Sequence, residues 1–391
     1  MASRPATVID DDFSPIDNEL PLRWYRRLHL APAGGLGTGR RALFFAAVTW
    51  LPIVVWAVLT GRFLTGGGES LLHHYGVHVR CIVAIPLFIL AEGALHDTVR
   101  RIAANFESSG VLAPAQRAAF EQLVSDVRRL RDASLPWVLV VGVTIAWIMT
   151  DIPSAHEDAL SWAAAGDGTL GFGGWWFAYV ARPIFLALLL GWLWRMLLVA
   201  YWFWRIGRLE LSIVPTHPDH TGGLAFVEKL PRAYAMVTFA VSAIIASRWA
   251  HEIAYHDVTL KSLQLPIGMF AGLWLLLALL PLFALAPPLL AARVRAMPAY
   301  SALVGEQGRL VHRRWILREP VAADPILDAP EIGPVADAAA MYDAVAAMRI
   351  VPIGKSAILH VVVPLALPML VIAAMQVPIG ELLLKLVKAL L

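Results

Sequence analysis

The sequence predicts an all-α, polytopic membrane protein with about seven transmembrane helices and a cytoplasmic N-terminus. Three observations support this prediction: 59% of the 391 residues are hydrophobic, only 16% are charged, and the mean hydropathy is +0.66. Soluble domains contain about 45–50% apolar and roughly 25% charged residues, so a water-soluble fold would have to hide too much apolar surface. The single cysteine, Cys81, excludes a disulfide framework and cysteine-ligated clusters within the chain.

Seven apolar runs are long enough to cross a bilayer, because about 20 helical residues span about 30 Å of hydrocarbon. They are approximately Ala42–Thr60, Val77–Leu95, Leu135–Thr150, Pro183–Trp204, Tyr234–Ile253, Leu265–Ala291 and a run that begins near Ala357. The fourth run extends back to Trp175, but we begin the span at Pro183 because a first helical turn tolerates proline. Gly171–Arg182 is then predicted to lie in the outer interface. The margin is six or eight spans, and Gly380–Leu391 is predicted to form an amphipathic interfacial helix.

The distribution of lysine and arginine predicts the orientation. Residues 1–41 and the stretches around 97–133, 205–232 and 292–355 hold 24 of the 32 lysines and arginines, whereas the loop 151–174 holds none. Basic residues concentrate in cytoplasmic loops. These four regions are therefore predicted to be cytoplasmic, and the protein is predicted to reside in the inner membrane of a bacterium.

The predicted segments follow from this topology. They are a cytoplasmic arm (1–41), spans one and two (42–96), a cytoplasmic helical hairpin (97–133), spans three and four (134–206), a cytoplasmic loop (207–232), spans five and six (233–291), a cytoplasmic segment (292–355), and span seven with the tail (356–391). The second helix of the hairpin is predicted to bury Phe120, Leu123, Val124, Val127 and Leu130 on one face. Its other face carries Arg117, Arg128 and Arg131.

Ionisable groups inside a bilayer are the strongest functional signals, because leaving them unpaired costs several kcal/mol. Arg195 falls near the middle of the predicted span Pro183–Trp204, and Glu92 lies in the inner part of the second span. A buried Glu92–Arg195 pair would satisfy both charges and mark a path for an ion, a proton or a solute. The structural alternative is that Glu92 caps its helix in the interface. Arg195 would then snorkel, or lie at the cytoplasmic surface of a span that begins earlier.

Histidines are dense on the predicted outer side. Six of the twelve lie there: His73, His74, His78, His156, His251 and His256. We take His73, His74, His78, His251 and His256 as a candidate outer cluster. With neighbouring carboxylates these histidines could bind zinc or sense external pH, because imidazole titrates near neutrality. The alternative is ordinary interfacial histidines without a ligand role.

A third signal is the stretch THPDHTGGL at 216–224. His217, Asp219 and His220 are candidate ligands for a divalent metal, although the spacing lacks one x–His step of the HxHxDH motif of metallo-β-lactamase-fold hydrolases. The structural alternative is a turn, in which Asp219 caps the backbone and Gly222–Gly223 permit positive φ angles.

This loop contributes to a resemblance that extends over two other stretches. The loop, GRRALFFAAVTWLP at 39–52 and HVRCIVAIPLFILAEG at 78–93 resemble segments of uncharacterised bacterial multi-pass membrane proteins with a THPD-x-x-GGL-like cytoplasmic loop. The resemblance implies a multi-pass topology. It implies no activity, so no functional residue is carried over from it.

Three functions remain open. The favoured one is the handling or transport of a small ion or solute by Glu92 and Arg195. The second is a membrane-embedded enzyme that uses a divalent metal such as zinc at His217, Asp219 and His220. The third is a sensor or scaffold whose cytoplasmic helices pass an outer signal to a partner. The expected partners are the lipid bilayer and a small ion or solute, with no nucleic acid, and a homo-oligomer is left open.

Overall fold

The computed structural model describes residues 13–32, 34–64, 70–150, 158–164, 169–255, 258–321 and 333–376. These ranges form helices and connecting turns, and their β-type pairing is confined to two isolated bridges. The main helices are α1 (Leu20–Arg27), α2 (Thr38–Leu59), α3 (Tyr75–Ser108), α4 (Arg117–Asp132), α5 (Leu135–Thr150), α6 (Phe172–Ile206), α7 (Ala235–Tyr255), α8 (Leu260–Phe283), α9 (Ala286–Val311), α10 (Gly333–Ala346) and α11 (Lys355–Gln376).

Seven helical segments in the described ranges are long and apolar enough to cross a membrane. They are α2, α3, the segment Pro114–Thr150 that contains α4 and α5, α6, the segment Ala225–Tyr255 that ends with α7, α8, and α11. The protein is therefore a polytopic helical membrane protein, as the composition predicts.

The bounds of two spans differ from the prediction. Helix α6 begins at Phe172 rather than Pro183, because a π-helical turn at Phe177–Ala181 continues the helix into Arg182. The sixth span ends at Phe283, and a separate helix, α9, begins with two prolines in its first turn. Proline favours that position because it has no N–H to satisfy there. The predicted amphipathic tail lies outside the described residues.

Helix α7 is the most enclosed span and organises the bundle. Its Ser242 hydroxyl donates to the Leu365 carbonyl of α11 at 2.6 Å, and Ser247 faces Gly76 at the start of α3. Helices α5 and α8 instead leave large apolar side chains exposed on one side, including Leu139 and Leu265. Lipid is the solvent that makes such exposure tolerable, since apolar surface is unfavourable in water.

Contacts between α2 and α3 define the two ends of the bundle. The two helices run antiparallel. Arg41, near the start of α2, contacts Glu92, whereas the carbonyl of Thr49, later in α2, accepts from Cys81, which precedes Glu92 in α3. At one end of the bundle α2 begins and α3, α6 and α8 end. We call this the arginine-rich end, after the basic residues that its loops carry. The other end is the opposite end.

The hairpin helix α4 shows both a confirmed face and a correction. Phe120, Leu123, Val124 and Val127 are buried as predicted, whereas Leu130 is exposed. Arg131, predicted on the polar face, is buried instead. Its guanidinium donates to the Ser14 carbonyl at 2.7 Å, which explains why the charge can leave water.

Residues 13–32, which we call the arm, fold back into the arginine-rich end. Phe13 and Ile16 are buried in the main core, and the Phe13 ring lies 5.0 Å from that of Trp202 on α6. The arm therefore closes that end of the bundle as a hydrophobic plug.

Candidate functional site

Four charged side chains are buried together at the arginine-rich end. Glu19 comes from the arm, Arg41 from the first turn of α2, Glu92 from α3 and Arg195 from α6, and each is at most 3% exposed. Charged residues are almost never buried to this extent unless they are paired. We call these four residues the ion network.

The network alternates in charge along a continuous chain of contacts. Nη1 of Arg41 donates to Oε2 of Glu92 at 2.6 Å. Nη1 of Arg195 lies 3.0 Å from Oε1 of Glu92, and Nη2 of Arg195 donates to Oε2 of Glu19 at 2.7 Å. Two guanidiniums thus face two carboxylates, and the group is neutral when all four are ionised.

The Glu92–Arg195 ion pair is the weakest contact of this network. Its two atoms, Oε1 and Nη1, are close enough for an ion pair, yet neither makes a hydrogen bond within the described residues. Arg195 directs its Nε and Nη2 at Glu19 instead. Interactions weaken steeply when donor and acceptor are poorly aligned, so this contact is the one most readily exchanged for water or an ion.

Aromatic rings enclose both guanidiniums. The Arg41 guanidinium lies 4.2 Å from the ring centroid of Tyr25, and that of Arg195 lies 5.6 Å from Trp192 and 5.7 Å from Trp137. The indole of Trp192 is fixed because its N–H donates to the Phe88 carbonyl at 2.9 Å. Such cation–π contacts offset part of the cost of removing the charges from water.

The depth of the network differs from the prediction. Because α6 begins at Phe172, Arg195 lies in its second half rather than at mid-span. The contact with Glu92 also puts it level with Arg41, in the first turn of α2. The structure thus brings Glu92 and Arg195 together, but at the arginine-rich boundary of the apolar region.

Sequence reasoning missed two members of the network. Arg41 counted only as a basic residue flanking the first span, and Glu19 belonged to an arm with no predicted structure. The available signal was a short apolar pattern around Glu19, namely Phe13, Ile16 and Leu22, all buried in the structure. Ser14 also holds the arm in place, because its hydroxyl forms a hydrogen bond with Nδ1 of His96 at 2.6 Å.

Glu19 is the titratable member of the network that lies outside the spans. Burial raises the pKa of Glu19 from 4.5 to about 7, and the neighbouring Arg195 opposes this rise without cancelling it. Glu92 raises that pKa further and Arg131 lowers it. The arm therefore carries a carboxyl group whose charge changes near neutral pH.

A polar cleft of about 450 Å³ adjoins the network. Its walls come from the arm, the glycine-rich turn before α2, and α3, and include Asp17, Arg26, Leu36, Gly93 and Arg100. Gly93 follows Glu92 directly, and the carbonyl of Leu36 accepts from Arg41 at 3.3 Å. The cleft is therefore lined by the residue that follows Glu92 and by the residue whose carbonyl binds Arg41.

The THPDHTGGL loop forms a turn organised by Asp219. The Asp219 carboxylate accepts from the backbone amides of Thr221 at 2.8 Å, Ala225 at 3.0 Å and Gly223 at 3.1 Å. Burial acts to raise the pKa of Asp219, but these hydrogen bonds outweigh it and lower the pKa to about 2. Gly222 and Gly223 have φ angles of +67° and +95°, which glycine adopts without strain.

A second segment is packed onto this loop. The backbone amide of Arg349 donates to the His220 carbonyl at 2.7 Å, and its guanidinium pairs with Glu228 at 2.7 Å. Met348 also approaches Gly222, where the side chain of Ile213 leaves no room for a Cβ atom. The loop is therefore a docking point for the chain between α10 and α11.

The described residues contain no group of three His, Cys, Asp or Glu side chains placed to hold a metal ion. In the loop, His217 contacts Asp219 at 2.8 Å, but the Asp219 oxygens already serve the backbone amides, and His220 does not complete a set. The geometry gives these residues a structural task, and a zinc role for them stays a prediction.

The outer histidines lie at the opposite end, where His74 meets His251. Their ring centroids are 5.4 Å apart, and the His251 ring lies 4.7 Å from that of Tyr255. Both ring nitrogens of His74 bond to protein oxygens, those of Ser70 and Ser161. This leaves His74 without a free nitrogen for a metal.

The other histidines of the predicted outer cluster are less closely joined. His78 accepts from the Trp50 indole at 3.1 Å and bonds the Leu71 carbonyl at 3.0 Å, and His73 bonds Ser70 at 2.8 Å. His256, like His156, lies outside the described residues. The cluster is thus a set of structural contacts between α3 and its neighbours.

No protein-family model, curated protein or solved structure matches this chain. The resemblance to multi-pass proteins with a THPD-x-x-GGL-like loop therefore stays a prediction, and the function has to be argued from the geometry.

Proposed function

We propose that this protein handles a small ion or solute, and that the ion network is its gate at the arginine-rich end. The observation that carries the proposal is the alternating set Glu19, Arg41, Glu92 and Arg195, buried where the arm meets three spans. Ionisable groups inside membrane proteins are costly and commonly mark ion or substrate pathways.

Stability alone is a weak reason for such a network. Replacing a buried ion pair by apolar residues of similar volume is often neutral or stabilising. A gate gives the charges a reason to be there, because the poorly aligned Glu92–Arg195 contact can open without breaking the other contacts. The adjoining cleft brings solvent close to that contact, because it is lined by Gly93, the residue after Glu92.

The arm supplies the closing element. It contributes Glu19 as an internal carboxylate for Arg195 and Phe13 as an apolar anchor against Trp202. Release of the arm would expose Arg195 and Glu92 to the arginine-rich side. We propose that the closed arrangement is the resting state.

Flux through proteoliposomes tests this proposal. Potassium, protons and chloride would each be followed with entrapped indicators for the wild type, Phe13→Ala and Glu92→Gln. We expect Phe13→Ala and Glu92→Gln each to raise the flux of at least one ion about ten-fold, because the first loosens the arm and the second removes the Glu92–Arg195 contact that closes the gate. Glu210→Gln, an exposed carboxylate at the same end, is the matched control. Equal fluxes in all variants, or none for any ion, would overturn the proposal.

We also propose that the arginine-rich end faces the cytoplasm of a bacterial inner membrane, because basic loops are retained there. The exposed position Glu121 on α4 gives the test, since the native Cys81 is buried. A Glu121→Cys variant should react with an impermeant maleimide only after the membrane is disrupted. Labelling of intact cells would reverse the orientation.

A sensor function is the second candidate, and one observation favours it. His74, His251 and Tyr255 join α3 to α7 at the opposite end, and α3 also carries Glu92. A movement of α3 against α7 at this contact would reach the network through the helix. His251→Gln should then alter the exposure of the arm, whereas a pure conduit would leave that exposure unchanged.

A further inference from the structure

Helix α1 of the arm carries more apolar surface than the bundle covers. Leu22 is buried, and the ring of Tyr25 packs against that of Phe45 on α2, with the centroids 5.6 Å apart. Trp24 and Leu28, the residue that caps the helix, are instead 54% and 63% exposed. Residues four apart lie on the same face of a helix. Two large apolar side chains therefore stand together outside the bundle, and we call them the outer face of α1.

Helix α2 fixes the depth of α1 in the bundle. The Tyr25 ring lies 4.2 Å from the guanidinium of Arg41, in the first turn of α2. Just after Arg41, at the start of its apolar span, α2 leaves Leu43 and Phe44 exposed. The outer face of α1 therefore lies at the level where the lipid-facing surface of α2 begins. Tryptophan is enriched at this boundary between hydrocarbon and headgroups.

Arginines border the outer face. The Arg27 guanidinium lies 5.3 Å from the ring centroid of Trp24. Arg40 is exposed in the first turn of α2, and Arg23 of α1 is part-exposed. An apolar face bordered by basic side chains is typical of helices that lie on the surface of a membrane.

Two carboxylates near α1 are already paired with other arginines. Asp17 contacts Arg26 at 2.6 Å, and Asp132 contacts Arg131 at 2.7 Å. The exposed charge beside the outer face, carried by Arg27 and Arg40, is therefore positive. It is complementary to an anionic surface.

A lipid surface fits this face better than a protein partner does. A stable protein interface buries about 800 Å² on each partner, and the two side chains of the outer face cannot supply such an area. A bilayer, in contrast, already surrounds the adjoining span α2. Only a small shift in depth separates the exposed side chains of α2 from those of α1.

We infer that α1 is an interfacial anchor that binds anionic phospholipids, with Trp24 and Leu28 in the acyl-chain boundary and Arg27 and Arg40 at the headgroups. Anionic lipids attract basic segments at the membrane surface, and guanidiniums form charge-assisted hydrogen bonds with phosphates. Because the arm also holds Glu19 against Arg195, bound lipid stabilises the docked arm. The lipid contact stands on these residues alone, whereas its meaning for the gate rests on the proposed function.

Hydrogen exchange of residues 20–30 in nanodiscs that hold one copy of the protein tests the inference. Nanodiscs of phosphatidylcholine alone are compared with nanodiscs of equal parts phosphatidylcholine and phosphatidylglycerol. We expect the wild-type amides to exchange about ten-fold more slowly in the anionic nanodiscs, because each surface arginine adds to the attraction. The double variant Arg27→Gln/Arg40→Gln should lose most of this gain. High salt should remove it too, since salt screens exposed charges.

Three further variants assign the effect. Arg117→Gln/Arg129→Gln removes two exposed arginines of α4 at the same end and should keep the gain, which separates the site from overall charge. Trp24→Ser should speed exchange in both lipids because it removes the apolar anchor. An anionic surface also concentrates protons, so the comparison is repeated in Glu19→Gln, whose carboxyl group is gone. The gain should persist there.

Equal exchange in the two lipids, an equal loss of the gain in the α4 variant, or a gain that vanishes in Glu19→Gln would overturn the inference. Protection that appears only with two copies in each nanodisc would identify a second copy as the occupant and overturn it as well. Lipid-dependent protection without a lipid-dependent ion flux would sink the proposed gate alone. An increased flux in Phe13→Ala, with no lipid dependence of exchange in α1, would sink this inference alone.

Discussion

The bundle accommodates arginine in two different ways. At the arginine-rich end, Arg41 and Arg195 alternate with Glu19 and Glu92, and every guanidinium has a carboxylate within 3.0 Å. At mid-depth, Arg80 lies between the rings of Phe177 and Phe185, and it has no carboxylate partner among the described residues. Arginine is thus paired with carboxylates in one place and packed against aromatic rings in the other.

This contrast separates a set of mutually paired charges from a single guanidinium packed against aromatic rings. Removing one member of a compensated set leaves its buried partners unpaired, and that is strongly destabilising. Arg80 has no carboxylate partner among the described residues, so removing its charge leaves no carboxylate unpaired there. The two regions should therefore differ strongly in how much stability they lose when a guanidinium is removed.

The largest loss is expected from Arg195→Gln. The substitution leaves the buried carboxylate of Glu19 without its guanidinium partner and takes one of two guanidiniums from Glu92, and breaking a buried pair costs about 3–5 kcal/mol. Unfolding in mixed detergent micelles measures the loss. Arg205→Gln on the same helix is the control, since Arg205 is part-exposed and lies 3.6 Å from Asp126, and such pairs contribute about 0–1 kcal/mol. Equal losses in both variants would contradict the compensated network.

The second effect is a pH dependence of arm docking through Glu19. The pKa of Glu19 is about 7 in the docked arm, against an ordinary value of 4.5. Because the docked pKa is the higher one, docking is strongest below about pH 4.5 and weakens as pH rises through about 7. The groups facing Glu19 are Arg195, Glu92 and Arg131. A shift of this size corresponds to about 3 kcal/mol.

Hydrogen exchange of residues 13–32 between pH 5 and pH 8.5 measures this dependence after correction for intrinsic exchange rates. We expect protection of the arm to fall as the pH rises. Glu19→Gln cannot ionise, so its arm should stay protected throughout. A pH-dependent loss of protection that persists in Glu19→Gln would assign the effect to another group.

The sequence predicted the span count because long apolar runs have few alternatives to crossing a bilayer. It also indicated Glu92 and Arg195, because ionisable groups stand out in apolar segments. The arm was not predictable in the same way. Glu19 becomes buried because Phe13 and Ile16 fit between distant helices, and such tertiary contacts leave only a weak local pattern.

Arg80 was missed for a different reason. It lies three residues after the start of the second predicted span, Val77–Leu95, which is a typical position for a helix-flanking charge. Its depth follows from the register of α3 against α2, which the Cys81–Thr49 contact reveals. The turn alternative for the THPDHTGGL loop, in contrast, depended on local chemistry. Asp219 caps backbone amides there, and Gly222 and Gly223 have the positive φ angles that the turn alternative predicts.

The third effect is expected at that loop. Asp219→Ala removes the acceptor of three backbone amides, and unsatisfied buried donors cost about 1–3 kcal/mol. Unfolding measurements and proteolysis of residues 211–229 would record the loss. His220→Asn is the control, because asparagine tolerates the left-handed backbone that His220 adopts. If His220→Asn lowers the free energy of unfolding as much as Asp219→Ala does and also releases bound zinc, the result would support the metal hypothesis.

The smallest effect is expected from Arg80→Gln, and it is the sharpest test of the contrast. The substitution loses contacts with two aromatic rings, each worth about 0.5–2 kcal/mol. It also removes a cation that has no carboxylate partner among the described residues from an apolar setting, which favours the folded state. The two contributions oppose each other, so the free energy of unfolding should change by about 1 kcal/mol or less. A loss as large as that of Arg195→Gln would mean that Arg80 has a compensating partner within the protein, and the distinction between the two regions would fail.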